Sequence, residues 1–211
     1  MRTFLKYALK AAAWLGAIAL VVAGVMRIFF LDLVVVGHNG MAPTLLAGEE
    51  VLMWRGTEAE MGEIVICQNP QTPGQMVMGR VVAREGMTIK DERGDLWVSG
   101  TIPTLDWEGG TKTFFDLDVN QEIVVKFGTE ELGNTNHEFF IQERYTFRVR
   151  ETEVPSGHIY ILGDHRSRPD HDSRTFGTVV QNDCVGSLFM RWSPVEARGA
   201  DINHGWLDIL Q

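Results

Sequence analysis

Ala11 to Met26 is a run of sixteen uncharged, mostly apolar residues closed at its ends by Lys10 and Arg27. Wound as a helix, the run rises about 24 Å at 1.5 Å per residue, a little less than a bilayer core. Lys10 and Arg27 can snorkel, and Tyr7–Leu9 and Ile28–Leu31 prolong the apolar stretch, so the pattern predicts a spanning helix over residues 11–31. Beyond Leu33 the period changes. Apolar residues come in short or alternating runs at Leu33–Val36, Val51–Trp54, Ile64–Cys67, Met76–Ala83, Leu96–Ser99, Ile123–Phe127, Phe139–Gln142, Tyr145–Val149, His158–Leu162 and Val185–Trp192. These are strand lengths. Turn residues separate them at Pro70–Gly74, Gly109-Gly110, Gly133-Asn134 and Pro155–Gly157, which predicts a mainly β body with no internal repeat.

The stretch over residues 100–154 is more polar and reads as an inserted β subdomain. The expected organisation is a cytoplasmic N-terminus (1–10), the anchor (11–31), a first core part (32–99), the inserted subdomain, a second core part (155–195) and a C-terminal tail (196–211). A chain of 211 residues suits one buried domain plus an anchor.

Charge adds orientation. Residues 1–27 hold Arg2, Lys6, Lys10 and Arg27 and no acid, which leaves 15 basic against 28 acidic residues beyond them, a net of −13. Three of those cations precede the apolar run, so the positive-inside bias places the N-terminus in the cytoplasm and the body outside. An acidic body without a basic face repels phosphate backbones, which excludes nucleic-acid binding. The competing reading of the N-terminus is a cleaved signal peptide, but its small-x-small triplet, Ala17-Ile18-Ala19, lies inside the apolar run and not at its end. Cys67 and Cys184 would meet oxidising conditions; they allow a disulfide and equally suit plain core positions. Trp54, Trp97 and Trp107 suit either the core or the membrane surface.

Five ordered boxes carry the chemistry. Gly37-His38-Asn39-Gly40-Met41-Ala42-Pro43-Thr44-Leu45 stands just beyond the anchor, followed by Gly48-Glu49-Glu50-Val51-Leu52, Gly62-Glu63-Ile64-Val65 and Met78-Gly79-Arg80-Val81-Val82. Then come Gly163-Asp164-His165-Arg166 and Asp172-Ser173-Arg174-Thr175-Phe176-Gly177. In order and spacing these resemble the S-M-x-P-T-L, G-D-x-V/I-L, G-D-I-V, K-R-x-V and G-D-N-R…D-S-R-x-x-G boxes of type I signal peptidases. The resemblance covers most of residues 27–192. It implies a β-rich catalytic-core fold with an inserted β subdomain, an apolar surface that dips into the outer leaflet, and removal of signal peptides after Ala-x-Ala by a serine nucleophile with a lysine general base. Such a serine needs a desolvated neutral amine within hydrogen-bond reach.

Both members of that dyad are missing. The nucleophile position, before Met41, is Gly40, and the base position, before Arg80, is Gly79. The nearest hydroxyl is Thr44 and the nearest lysine in sequence is Lys90. The auxiliary oxyanion hydroxyl falls on His38, and the Gly163–Arg174 box is one residue longer than usual, so that Pro169 or Asp170 replaces the serine that would orient the lysine. A cleft made by the Gly40 N–H, a donating His38, Met41 and Pro43 is expected to keep carbonyl-binding ability. Arg80, Gly163, Asp164, Arg166, Asp172, Ser173 and Arg174 are expected to hold turns and ion pairs beside it. No cofactor and no metal is expected; a metal site from His38, His165 and His171 with Asp164 or Asp170 fits no familiar ligand spacing. The resulting expectation is a single-pass inner-membrane pseudoprotease with an extracytoplasmic body. It would bind exported pre-protein or pilin-like segments, or modulate an active signal peptidase paralogue. The alternatives are an active peptidase with a displaced nucleophile and a scaffold subunit of a membrane complex.

Overall fold

In the computed structural model, which describes residues 2–196 and 202–210, the N-terminal helix α1 spans Arg2–Phe29 and so begins well before the apolar run. Leu, Ala and Lys favour helix and nothing breaks it ahead of Gly16, so the helix extends through the basic N-terminal residues. Its span-length apolar window is Ala12–Phe29, none of it buried against the body. Residues 197–201 and 211, part of the expected tail, lie outside the described residues.

Strand β1 (Leu31–Val35) follows the helix almost directly and pairs antiparallel with β2 (Glu50–Arg55). Then come the hairpin β3 (Ile64–Gln68) and β4 (Met76–Arg84), and the small pair β5 (Thr88–Glu92) and β6 (Asp95–Val98). Strands β7 (Thr104–Trp107), β8 (Lys112–Asp116), β9 (Gln121–Leu132) and β10 (Thr135–Gln142) make a four-stranded sheet. The short β11 (Thr152–Glu153) returns to β5. Finally β12 (His158–Leu162), β13 (Val179–Val180) and β14 (Cys184–Ser193) complete a seven-stranded antiparallel sheet in the order β1-β2-β14-β3-β4-β12-β13.

Burial follows sequence pattern. Strand β4 lies inside the sheet and is buried from Val77 to Ala83, which is why it reads as apolar residues on both sides of Gly79-Arg80. Strand β9 alternates buried and exposed residues over most of its length, as a sheet with one wet face should. The β9–β10 turn falls on Gly133, at φ 62°. Tyr145–Val149, predicted as a strand, is extended chain without a ladder. Phe147 and Val149 are buried, but its backbone meets β5 only where Val149 and Asp91 exchange hydrogen bonds. Cys67 and Cys184 face each other across β3 and β14 and form a disulfide.

Three features place the site. The turn after β1, a 3-10 turn at Asn39–Met41, lies over a core of Val36, Met41, Leu45, Val51, Ile64 and Met78. Pairing of β12 with β4 sets Leu162 opposite Arg80. The loop leaving β12 docks against β10, where the Phe140 N–H donates to the Asp164 carbonyl and the Arg166 N–H to the Phe140 carbonyl.

Candidate active site, with both catalytic positions closed

The β4–β12 register carries Asp164 to Arg80, and both side chains are fully buried. Arg80 grips the carboxylate with two bonds, Nε to Oδ1 at 3.0 Å and Nη2 to Oδ2 at 2.8 Å, and donates through Nη1 to the Gly62 carbonyl at 2.6 Å. Thr44 adds its hydroxyl to the same carboxylate. Asp172 closes the other end of the loop: it caps the short helix α2 (Ser173–Phe176), accepts from the Gly163 N–H at 3.2 Å and pairs with Arg174 at 2.6 Å. Arg174 donates to the Arg166 carbonyl, and Ser173 Oγ accepts from the Ile161 N–H. Charge-assisted bonds of this kind fix loop geometry strongly. Glycine at 163 lets the loop sit against the Gly40 carbonyl, into which a Cβ would run.

The two catalytic positions are crowded by neighbours. A Cβ on Gly40 would lie 2.7 Å from His38 Nδ1 and 3.2 Å from the His171 Cβ. One on Gly79 would lie 3.1 to 3.2 Å from three carbons of Ile161. His38 folds back over its own turn and stacks on His171, ring centroids 3.9 Å apart and 6° from parallel.

That fold-back corrects the expected oxyanion hole. The Gly40 N–H donates to His38 Nδ1 at 3.0 Å, so that nitrogen acts as an acceptor, and the amide expected to meet a carbonyl is already engaged. Gly40's own carbonyl accepts from the His165 N–H. Met41 is buried beneath the turn and Pro43 follows a cis peptide bond. The displaced-nucleophile alternative finds no support among the nearby hydroxyls: Thr44 is committed to Asp164, Ser173 to Ile161, and Ser167 accepts from the Gln142 N–H at 2.7 Å. Lys90 sits on β5, paired with Glu92.

The sequence left several site residues unnoticed. Glu130 bonds Arg166 at 2.6 Å, and His137 lies between Glu130 and Asp164 at 3.6 and 3.7 Å, all four side chains buried. Asp118 accepts from the Asn39 N–H at 2.8 Å and pairs with Arg168 at 2.9 Å, while Asn39 donates to Asp116 at 3.1 Å. These acids belong to a polar stretch where nothing in spacing distinguishes them from solvated surface charge. The histidine set considered from sequence is divided: His38 and His171 stack, whereas His165 is fully buried and Asp164 is held by Arg80.

Burial dominates the electrostatics. It raises the Asp164 and Glu130 carboxyls in isolation, but Arg80 beside the first and Arg166 beside the second outweigh it and hold both below the ordinary range. His137 goes the opposite way: burial, aided by Arg80, outweighs the carboxylates and keeps the ring neutral. His38 is pushed down to about 4 by burial and the adjoining His171, and His165 to about 3 by burial and Arg168. A depressed folded pKa means that stability is fully present above the unfolded value near 6.5 and is lost as the pH falls below it. Between pH 6.5 and 5, above the carboxylate range, the two rings should together cost on the order of 3 kcal/mol. Chemical denaturation at both pH values measures this. His137, also depressed, adds to the loss, so His165→Gln should remove part of it and well under the whole, and a pH-independent midpoint would contradict it.

The family model described as "Signal peptidase, peptidase S26" matches residues 9–193. A probable signal peptidase I-1 of Synechocystis is 22% identical over 193 residues, 86% of this chain and 81% of that protein. An inactive signal peptidase IA of Staphylococcus aureus (strain MRSA252) is 21% identical, covering 84% of this chain and 90% of that protein. Signal peptidase I of Streptococcus pneumoniae is 26% identical over 82% of this chain and 87% of that protein. Among solved structures, a signal peptidase I from Enterococcus faecalis aligns with TM-score 0.39 and 21% identity, covering 63% of this chain and 97% of that one.

Proposed function

This chain belongs to the S26 signal peptidase family, and on that footing we propose that it is a membrane-anchored pseudoprotease that binds exported polypeptide without cutting it. The observation that carries this reading is the pair of glycines at the nucleophile and base positions, each with its side-chain space crowded by a neighbour. A nucleophile and its base act as a unit, and losing one costs about as much as losing all, on the order of 10⁶ in turnover. The similarity to relatives named inactive signal peptidases supports the same view.

Its client is an extended pre-protein or pilin-like segment held by strand addition, or an active paralogue whose access to substrate it modulates. The anchor is single-pass with the N-terminus in the cytoplasm, and the body lies outside the inner membrane. Leu33, Leu52, Met190 and Ile209 are consecutive cross-strand partners on one sheet face next to the exposed Phe29 and Phe30 at the helix exit. Such a row supports contact between the body and the outer leaflet.

The test uses the full chain purified in detergent, away from any active signal peptidase, and mixed with an Ala-x-Ala pre-protein. No product is expected over a time in which a dyad-containing signal peptidase finishes the reaction, while a labelled uncleaved segment should show saturable binding. Cleavage at the control's rate would end the pseudoprotease reading; absence of both cleavage and binding would favour the scaffold role.

A further inference from the structure

We propose that His38, His171 and Asp118 form a binding site for one divalent transition-metal ion of zinc type. One ligand atom from each of the three lies within 4.8 Å of the other two. Two imidazoles and a carboxylate are the donors such borderline ions take, and three protein ligands leave a fourth position for water or a client group. The ligands come from three separated segments: the turn after β1, the β8–β9 turn and the loop after β12. An ion would therefore pin the four-stranded sheet and the long loop onto the former nucleophile turn.

The surroundings prepare the carboxylate. Both bonds to Asp118, from the Asn39 N–H at 2.8 Å and Arg168 Nη2 at 2.9 Å, fall on Oδ2 and leave Oδ1 for the ion. Outer partners of this sort orient a ligand, although Arg168 also shares the carboxylate's charge and limits the affinity. Face to face, the two rings direct their lone pairs in parallel and not at one point, so the rings must fan apart to bind. His171 has the freedom to do so, since its side chain is 27% exposed and its ring pairs with Asp170 at the loop surface.

Loading has a consequence peculiar to this site. A neutral imidazole bound to a metal uses one nitrogen as ligand and carries its proton on the other, so it has no acceptor left. His38 Nδ1 now accepts from the Gly40 N–H, and that bond must break whichever nitrogen takes the ion. Metal binding therefore releases the Gly40 amide, the backbone donor that the resemblance places in an oxyanion hole.

The experiment titrates zinc chloride into chelator-stripped full-length protein in detergent against a colorimetric chelator, and follows the Gly40 amide by NMR with ¹⁵N-glycine labelling. One equivalent should bind. His38→Gln, His171→Gln and Asp118→Asn should each weaken binding at least about tenfold, and His158→Gln, at the start of β12, should leave it unchanged. Zinc should also shift the Gly40 resonance, assigned with Gly40→Ala, and speed its exchange with solvent. Binding that survives both His171→Gln and Asp118→Asn, or no binding, overturns the proposal. If a variant fails to fold, the unmodified protein decides: an unmoved Gly40 amide at zinc saturation rejects the site.

Discussion

Gly40→Ser combined with Gly79→Lys yields no measurable cleavage of an Ala-x-Ala pre-protein until His38 and Ile161 are also reduced in size. A Cβ at position 40 would lie 2.7 Å from His38 Nδ1, and one at position 79 would lie 3.1 Å from the Ile161 Cβ. The serine therefore cannot enter without displacing the imidazole, and the lysine must overpack a buried strand at a cost of typically 1–3 kcal/mol. Even a serine that fits lacks its oxyanion donor, because the Gly40 N–H is bonded to His38. A lysine that fits lacks an orienting serine, since the loop offers Pro169 and Asp170. Adding His38→Ser and Ile161→Ala should relieve both obstructions and give cleavage that is detectable but several powers of ten below a family member with an intact dyad. Thermal melts decide how to read a null result: the double variant should melt lower than the unmodified protein, and the quadruple variant should recover part of the loss. Efficient cleavage by the double variant alone would show that neither neighbour obstructs the site.

The boxes around Gly40 and Gly79 are legible in the sequence because each combines a turn-forming glycine or proline with residues of fixed role. Strand β4 is legible because five of its seven buried residues are apolar, Val77, Met78, Val81, Val82 and Ala83, a density that a solvated segment would not carry. What the sequence hides is direction and register. Whether His38 donates outward or folds back onto its own turn depends on a side-chain rotation, and its stacking partner His171 arrives from a loop more than a hundred residues away. Asp118 and Glu130 look like the surface charges around them. They become site residues only because β10 lies against the loop after β12, a docking set by Phe140 and Asp164 and visible in no local pattern. Tyr145–Val149 shows the converse: its apolar residues are buried as the pattern demands, but with little backbone to pair with they form no strand.

Asp164→Ala should destabilise the body by about 3–5 kcal/mol, the largest single-residue effect expected here. Asp164 and Arg80 are both fully buried, so removing the carboxylate takes two charge-assisted bonds from a guanidinium that has no access to water. Burial alone would push the carboxyl up; Arg80 and its neighbours outweigh it and hold the carboxyl below the ordinary range. His137, 3.7 Å away, is kept neutral in part by Arg80, and loss of Asp164 removes the charge that opposes this. By contrast the Arg84–Glu58 pair, whose glutamate side chain is 68% exposed, should give less than about 1 kcal/mol when broken. Replacing both partners, as in Arg80→Met with Asp164→Leu, should restore much of the stability lost by Asp164→Ala, because an apolar pair has no charge to strand. The Gly62 carbonyl, which loses the Arg80 Nη1 donor, limits that recovery. Urea denaturation at pH 7 of Arg80→Met alone, Asp164→Leu alone and the double variant measures the coupling. A loss in the double variant equal to the sum of the losses in the two singles would mean that the pair contributes as separate hydrogen bonds and not as a unit closing the former catalytic loop onto β4.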